Sequence, residues 1–205
     1  MNYCVKREYG FALVALSIMA GASMDALPAD KAKSVEDWEA RGGEKGSLMT
    51  RTTYALFNVT NGKYVTGDDN YDHRKLKWDD SHKPRMNPKP RFEFWRLNEK
   101  TPSPLKYGDH VAIVMPDSIL FQGKPAPTYL MYVEQEKGIN LEMSRGGSEQ
   151  WEIHGGPTGT PVPIHAKIAL YNKRAKDYVI YAERDHGINL RWNGDVNKPR
   201  DHRKK

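Results

Sequence analysis

From residue 51 onward the apolar residues fall in short runs of four to six, rich in Val, Ile, Tyr, Phe and Trp and closed by Gly, Asn, Asp or Pro. Such runs read as strands separated by turns. Leu76 and Trp78, Leu141 and Met143, and Leu190 and Trp192 each stand two apart, which places each pair on one side of a strand, the predicted core side. Asn61-Gly62, Lys137-Gly138 and His186-Gly187 supply the positive-φ positions that tight hairpins need. No segment beyond residue 51 carries a helical period, so the expected class is all-β.

The runs also repeat. Residues 63–78 align without a gap on 128–143 and on 177–192, matching Tyr64 with Tyr129 and Tyr178, and Leu76 with Leu141 and Leu190. Gly-Ile-Asn-Leu recurs at Gly138 and Gly187, and Ala55-Leu56-Phe57-Asn58 recurs as Ala169-Leu170-Tyr171-Asn172. Ala112-Ile113-Val114-Met115 holds that place in copy two, followed by an insertion rich in Pro and Gly. The insertion predicts a surface loop over 116–127. Phe94-Trp95-Arg96-Leu97 and Gln150-Trp151-Glu152-Ile153 close copies one and two, whereas copy three runs out in Asn, Pro and basic residues. Three related units bury their apolar faces only against one another. The prediction is about twelve strands in three four-stranded repeats (about 52–100, 108–156 and 164–205). The three tyrosines should be equivalent by rotation, with Leu76, Leu141, Leu190, Trp95 and Trp151 buried about the axis.

With its Tyr-Val or Tyr-Leu strand, Gly-x-Asn-Leu strand and Trp-Glu-Ile strand, the chain resembles the β-trefoil superfamily, particularly its ricin-type lectin and fascin-like branches. Asn61-Gly62-Lys63-Tyr64-Val65-Thr66 is similar to the opening strand pair of fascin-like repeats. The resemblance spans about 52–192 and implies a β-trefoil, a fold that carries lectins, cytokines, protease inhibitors and actin bundlers. Ricin-type lectins carry Gln-x-Trp near the end of each repeat, and this chain has none. The vacant closing strand of copy three has one candidate, Val35-Glu36-Asp37-Trp38-Glu39-Ala40, which shares its acidic-x-Trp-Glu-apolar pattern with Glu149 to Ile153. Residues 23–50 are thus either an extra strand or a linker, ahead of a domain spanning 51–205.

Lys6 and Arg7 precede an apolar run from Phe11 to Ala22 that ends in Ala20-Gly21-Ala22, the layout of a secretory signal over 1–22. That run is too short to span a bilayer, and no second one follows. The expected product is secreted or periplasmic, with no transmembrane segment in the mature chain. Its only cysteine, Cys4, lies in the signal, so stability rests on the core rather than on disulfides. Asn58-Val59-Thr60 matches a glycosylation sequon and reads as a turn.

The chain carries 32 Lys and Arg against 26 Asp and Glu, a formal charge of +6. The excess concentrates in Arg74, Lys75, Lys77, Lys83, Arg85, Lys89 and Arg91, with Asp79 and Asp80 among them, a stretch that either attracts polyanions or is a solvated face. Export makes nucleic acid an improbable partner. No nucleophile elbow, zinc-protease helix, Walker loop or dinucleotide fingerprint occurs, and the histidines lack metal spacing. A non-catalytic chain without cofactor is therefore expected. Sugar recognition needs carboxylates or amides for hydroxyl pairs and an aromatic face for the ring. The repeat hairpins offer Asp68, Asp69 and Tyr71 in copy one, Glu136 and Asn140 in copy two, and Asp185, His186 and Asn189 in copy three. These features point to an exported module for cell-surface glycans, as the targeting subunit of a toxin or as an adhesin. The alternative is a protein-interaction or inhibitor module acting through the 116–127 loop.

Overall fold

A computed structural model describes residues 35–43, 45–67, 75–79, 92–121, 124–135, 139–184 and 187–194, without the side chains of 117–121 and 124. These residues form twelve strands and no helix: β1 (Trp38–Arg41), β2 (Thr53–Asn58), β3 (Lys63–Gly67), β4 (Leu76–Asp79), β5 (Phe92–Trp95), β6 (His110–Phe121), β7 (Lys124–Tyr132), β8 (Leu141–Ser144), β9 (Trp151–His154), β10 (Lys167–Asn172), β11 (Asp177–Tyr181) and β12 (Leu190–Trp192). Every pairing is antiparallel. The order β1-β2-β5-β6-β9-β10 returns to β1 and closes a six-stranded ring. Closure leaves no ring strand with an unpaired edge. Three hairpins hang from the ring: β3–β4 on β2, β7–β8 on β6 and β11–β12 on β10. With no helix in the described residues, none there is long and apolar enough to cross a membrane.

The register repeats at a spacing of 57 residues. Tyr54↔Phe92, Val111↔Trp151 and Ile168↔Trp38 are the same pair in three places. Phe57↔Tyr64, Val114↔Tyr129 and Tyr171↔Tyr178 are another, so the three tyrosines occupy equivalent positions. At the ring's centre the backbone of Leu48, Leu105 and Val162 forms a cycle. Leu105 N–H donates to Leu48 C=O (2.8 Å), Val162 N–H to Leu105 C=O (2.9 Å) and Leu48 N–H to Val162 C=O (2.8 Å). All three residues are fully buried. Satisfying each other's backbone groups lets three non-strand segments meet in the dry interior without an orphaned donor.

The closing strands are Trp38-Glu39-Ala40-Arg41, Phe92-Glu93-Phe94-Trp95 and Trp151-Glu152-Ile153-His154, and in each the first and third residues are buried. Trp38 and Trp151 donate their indole N–H to the carbonyls of Val179 and Leu130, and the residues before them, Asp37 and Gln150, accept from the N–H of Tyr181 and Tyr132. β1 thus stands between β10 and β2 and carries contacts equivalent to those of β9.

Two expectations need correction. Trp95 is not at the axis. Phe92 and Phe94 point inward, and Trp95 lies half-buried on the outer side, because the strand aligns Phe92 with Trp151, three residues away from a Trp-on-Trp match. An odd shift inverts a strand's faces. The 116–127 segment is no loop over most of its length: β6 and β7 continue as a ribbon with Ile119↔Ala126, Leu120↔Pro125 and Phe121↔Lys124 paired. Most of the extra length lies in that ribbon, and a bulge in which Pro116, Asp117 and Ser118 oppose Pro127 alone takes up two residues more. Proline, which cannot donate to a ladder, is tolerated on such a two-stranded edge.

Leu141, Met143, Leu190 and Trp192 are buried as the alternation predicts, and Leu76 and Trp78 pack partly buried against the same core. The sequon residue Asn58 is fully buried. Its side chain donates to Asp37 (2.8 Å) and accepts from Asn61 N–H (2.8 Å), which makes it turn structure.

Candidate functional site

Of the sugar-site residues expected from sequence, Asp68, Asp69, Tyr71, Asp185 and His186 lie outside the described residues, as do Arg74, Lys83, Arg85, Lys89 and Arg91 of the basic stretch. Asn189 is half-buried beside β12, its carbonyl accepting from Ala182 N–H (3.2 Å). Lys75 and Lys77 are exposed, Lys77 on β4 and Lys75 just before it. The described residues bring none of these into one cluster.

They do assemble another group, three times over. In each closing strand the glutamate faces outward, opposite its buried neighbours, and lies at the centre of a row crossing four strands. The rows are Lys167-Glu39-Phe57-Tyr64, Thr53-Glu93-Val114-Tyr129 and His110-Glu152-Tyr171-Tyr178. The residue two beyond the glutamate, on the same face, is Arg41, Trp95 or His154, and in every row it reaches back to that glutamate.

In the first row Arg41 Nε donates to Glu39 (2.7 Å) while its guanidinium carbon sits 3.3 Å from the centre of the Phe57 ring. Burial works against the charge, but hydrogen bonds with Tyr64 and Glu39 outweigh it and raise the Arg41 pKa. In the second row Trp95 Nε1 and Thr53 Oγ1 donate to the two oxygens of Glu93 (2.6 and 2.9 Å). The guanidinium of Arg51 covers the Trp95 ring at 3.9 Å. Both rows are closed by a cation stacked on an aromatic ring.

The third row is built differently. Glu152 stands between two imidazoles, its oxygens 3.1 Å from His154 Nε2 and 3.6 Å from His110 Nε2. His154 Nδ1 meets the Tyr178 hydroxyl at 2.7 Å, and the His154 ring lies parallel to Tyr171 with centres 5.7 Å apart. Burial, then the neighbouring Tyr171 and the carboxylates of Glu152 and Asp177, push the Tyr178 phenol up. Lys173 Nζ lies 3.0 Å from His110 Nδ1. An ammonium only donates, so Nδ1 is the acceptor in this contact, and Nε2 is the ring atom that faces Glu152. His110 is the open member, with its side chain 48% exposed against 19% for His154.

His110 also lines a cleft of about 610 Å³ with Arg96, Asn98, Glu99, Asp109 and Glu149. Arg96 is held on the wall by Glu99, Asp109, Ser103 Oγ (2.7 Å) and the Pro104 carbonyl (3.1 Å). The Ser103 hydroxyl, followed against burial by the Thr50 hydroxyl and Arg96, holds the Glu99 carboxyl below the usual range. Among the described residues no three His, Cys, Asp or Glu side chains are grouped to hold a metal. The cleft and the third row together present carboxylates, an amide, an imidazole and an ammonium at one surface, chemistry suited to hydrogen-bonding a polar ligand rather than to ligating an ion. The signal missed in sequence is Phe92-Glu93, which with Trp38-Glu39 and Trp151-Glu152 completes an aromatic-Glu dipeptide marking both the closing strand and the centre of each row. The chain matches no protein-family model, no curated protein and no solved structure.

Proposed function

We propose that the chain is a β-trefoil and that it works as an exported, non-catalytic binding module for glycans on cell surfaces, as a toxin's targeting subunit or an adhesin. One observation carries this reading: the same outward carboxylate, set beside an aromatic or cationic partner and the repeat tyrosine, occurs in three equivalent rows around a closed ring. Carboxylates take paired sugar hydroxyls, and a repeated scaffold turns weak single sites into avidity. Profiling the mature protein on a glycan array at physiological salt tests it. Selective binding that persists with added salt is the expected result. Binding that ignores sugar identity and vanishes with salt would reduce the protein to a polycation.

A second reading is favoured by the β6–β7 ribbon, whose strands of 12 and 9 residues far exceed the 6 and 5 of β2 and β3. A ribbon extending beyond the ring offers backbone edges to a partner protein, the mode expected of an interaction or inhibitor module. Replacing 117–125 with a two-residue turn separates the readings. Glycan binding survives under the first and protein capture is lost under the second.

A further inference from the structure

We propose that the β6–β7 ribbon pairs with the ribbon of a second copy of this chain, edge to edge along β6, and that the assembly stops at two. The proposal rests on the second reading above, in which the ribbon is an interaction element, and names its partner. It comes from where the ribbon's backbone hydrogen-bonding groups point.

Copies one and three hold 6 and 5 residues in the strands that copy two lengthens to 12 and 9. The added length carries Ile119–Phe121 and Lys124–Ala126 past Val114, the last β6 residue paired to β5. At about 3.3 Å per residue, Leu120 stands up to roughly 20 Å along the chain from that pair, which gives a partner room to approach. Among the described residues no other strand runs beside this part of β6.

Antiparallel ladders alternate between pairs that exchange two hydrogen bonds and pairs that exchange none. Pro125 has no N–H, so Leu120↔Pro125 can only be of the second kind. The N–H and C=O of Leu120 therefore point away from β7, to the edge that β5 occupies further down the strand. On the opposite edge the outward positions are Pro125 and, two residues on, Pro127, and neither has a donor to offer. The next outward position, Tyr129, is already paired with β8. The ribbon thus has one edge closed by prolines and one left open. Along the open edge runs Ser118-Ile119-Leu120-Phe121, which has neither the charge nor the proline that keep natural edges from pairing.

A second copy fits this edge because the edge is its own complement. About a two-fold axis through Leu120, each Leu120 N–H meets the C=O of the other, and Ile119 falls opposite Phe121 of the second copy. The product is a four-stranded sheet whose outer strands are both β7. Pro125 and Pro127 bar both of its edges, so no third copy adds. A seam this short falls below the area of about 1,000 Å² that a stable interface needs, which makes the dimer reversible and dependent on concentration.

Sedimentation equilibrium of the mature chain tests this from about 1 to 500 μM, the range in which small interfaces dissociate. The parent should pass from monomer to dimer and no further. Leu120→Pro removes only the outward donor, since that N–H makes no bond to β7, and Ile119 before it is already in a strand. With its melting temperature checked first, this variant should raise the concentration of half-dimerisation by about tenfold or more, because the two-fold axis loses two bonds at once. Leu120→Val keeps the donor and should dimerise like the parent. Pro125→Val combined with Pro127→Val gives β7 a donor at both outward positions and should turn the dimer into larger species by light scattering; this variant carries the test alone if Leu120→Pro does not fold. A dimer untouched by Leu120→Pro lies elsewhere on the molecule and overturns the proposal, as does a double valine variant that goes no further than the parent. A parent that stays monomeric throughout also overturns it. If that monomer still captures a foreign protein through residues 117–125, the interaction reading stands without the dimer; if it captures none, both are removed.

Discussion

Tyr178 is the residue at which fold and candidate site meet. It is 7% exposed, pairs with Tyr171 across the ladder and shares a hydrogen bond with His154 Nδ1. Burial pushes up the phenols of Tyr54, Tyr107, Tyr171 and Tyr178 alike. A phenol raised in the folded state holds its proton more tightly there. Its contribution is therefore complete below the unfolded value of about 10 and disappears as pH rises through the folded value. The melting temperature should stay level up to about pH 10 and then fall, and Tyr178→Phe, which cannot ionise, should fall less steeply. Parallel curves for parent and variant would show that Tyr178 contributes nothing to that fall. At neutral pH the same variant should lose about 0.5–1.5 kcal/mol, the worth of one hydrogen bond. Leu141→Ala, by contrast, should cost about 2–5 kcal/mol by chemical denaturation, since Leu141 sits in the core with Met143. The alternation of Leu141 and Met143 made that face readable from sequence. Trp95 was misread for a physical reason: a strand's period is two, and matching tryptophan to tryptophan across copies moved the strand by three residues and turned it over.

At the scale of elements, β1 makes the sharpest claim. Trp38 is 2% exposed, its indole is bonded to Val179 and stacked on Trp78 with ring centres 6.5 Å apart, and Asp37 bonds Asn58, Thr60 and Tyr181. Without β1 the ring would open between β10 and β2 and leave two unpaired edges. Deleting residues 23–45 should therefore abolish the cooperative melting transition or lower it steeply, and Trp38→Ala alone should cost about 3–5 kcal/mol. An unchanged transition in the deletion would mean that the strand only covers a ring stable without it. The shared Trp-Glu-apolar pattern made β1 legible because burial and outward charge impose the same alternation on every closing strand. The β6–β7 ribbon was less legible. Pro116, Gly123, Pro125 and Pro127 are turn signals locally, and nothing local reports that a bulge lets pairing resume beyond them.

For the whole molecule, the repeat was visible in sequence and the rows were not, because a row joins residues from four strands that only register brings together. Glu152, Tyr171 and Tyr178 are far apart in the chain from His110, yet they become neighbours across β6, β9, β10 and β11. The basic stretch is the reverse case, plain in sequence and outside the described residues for all but Lys75 and Lys77. Pro84, Pro88 and Pro90 interrupt it, which suits a segment outside any central ladder. Reversing Lys83, Arg85, Lys89 and Arg91 to Glu should accordingly leave the melting temperature within a few degrees of the parent's, about the span expected for surface changes. Retention on heparin should collapse, and its salt dependence should shrink as the charges are removed, because long-range attraction falls with the number of fixed cations. If the quadruple variant is retained as strongly as the parent, the stretch is a solvated face, and recognition lies with the rows and the repeat hairpins.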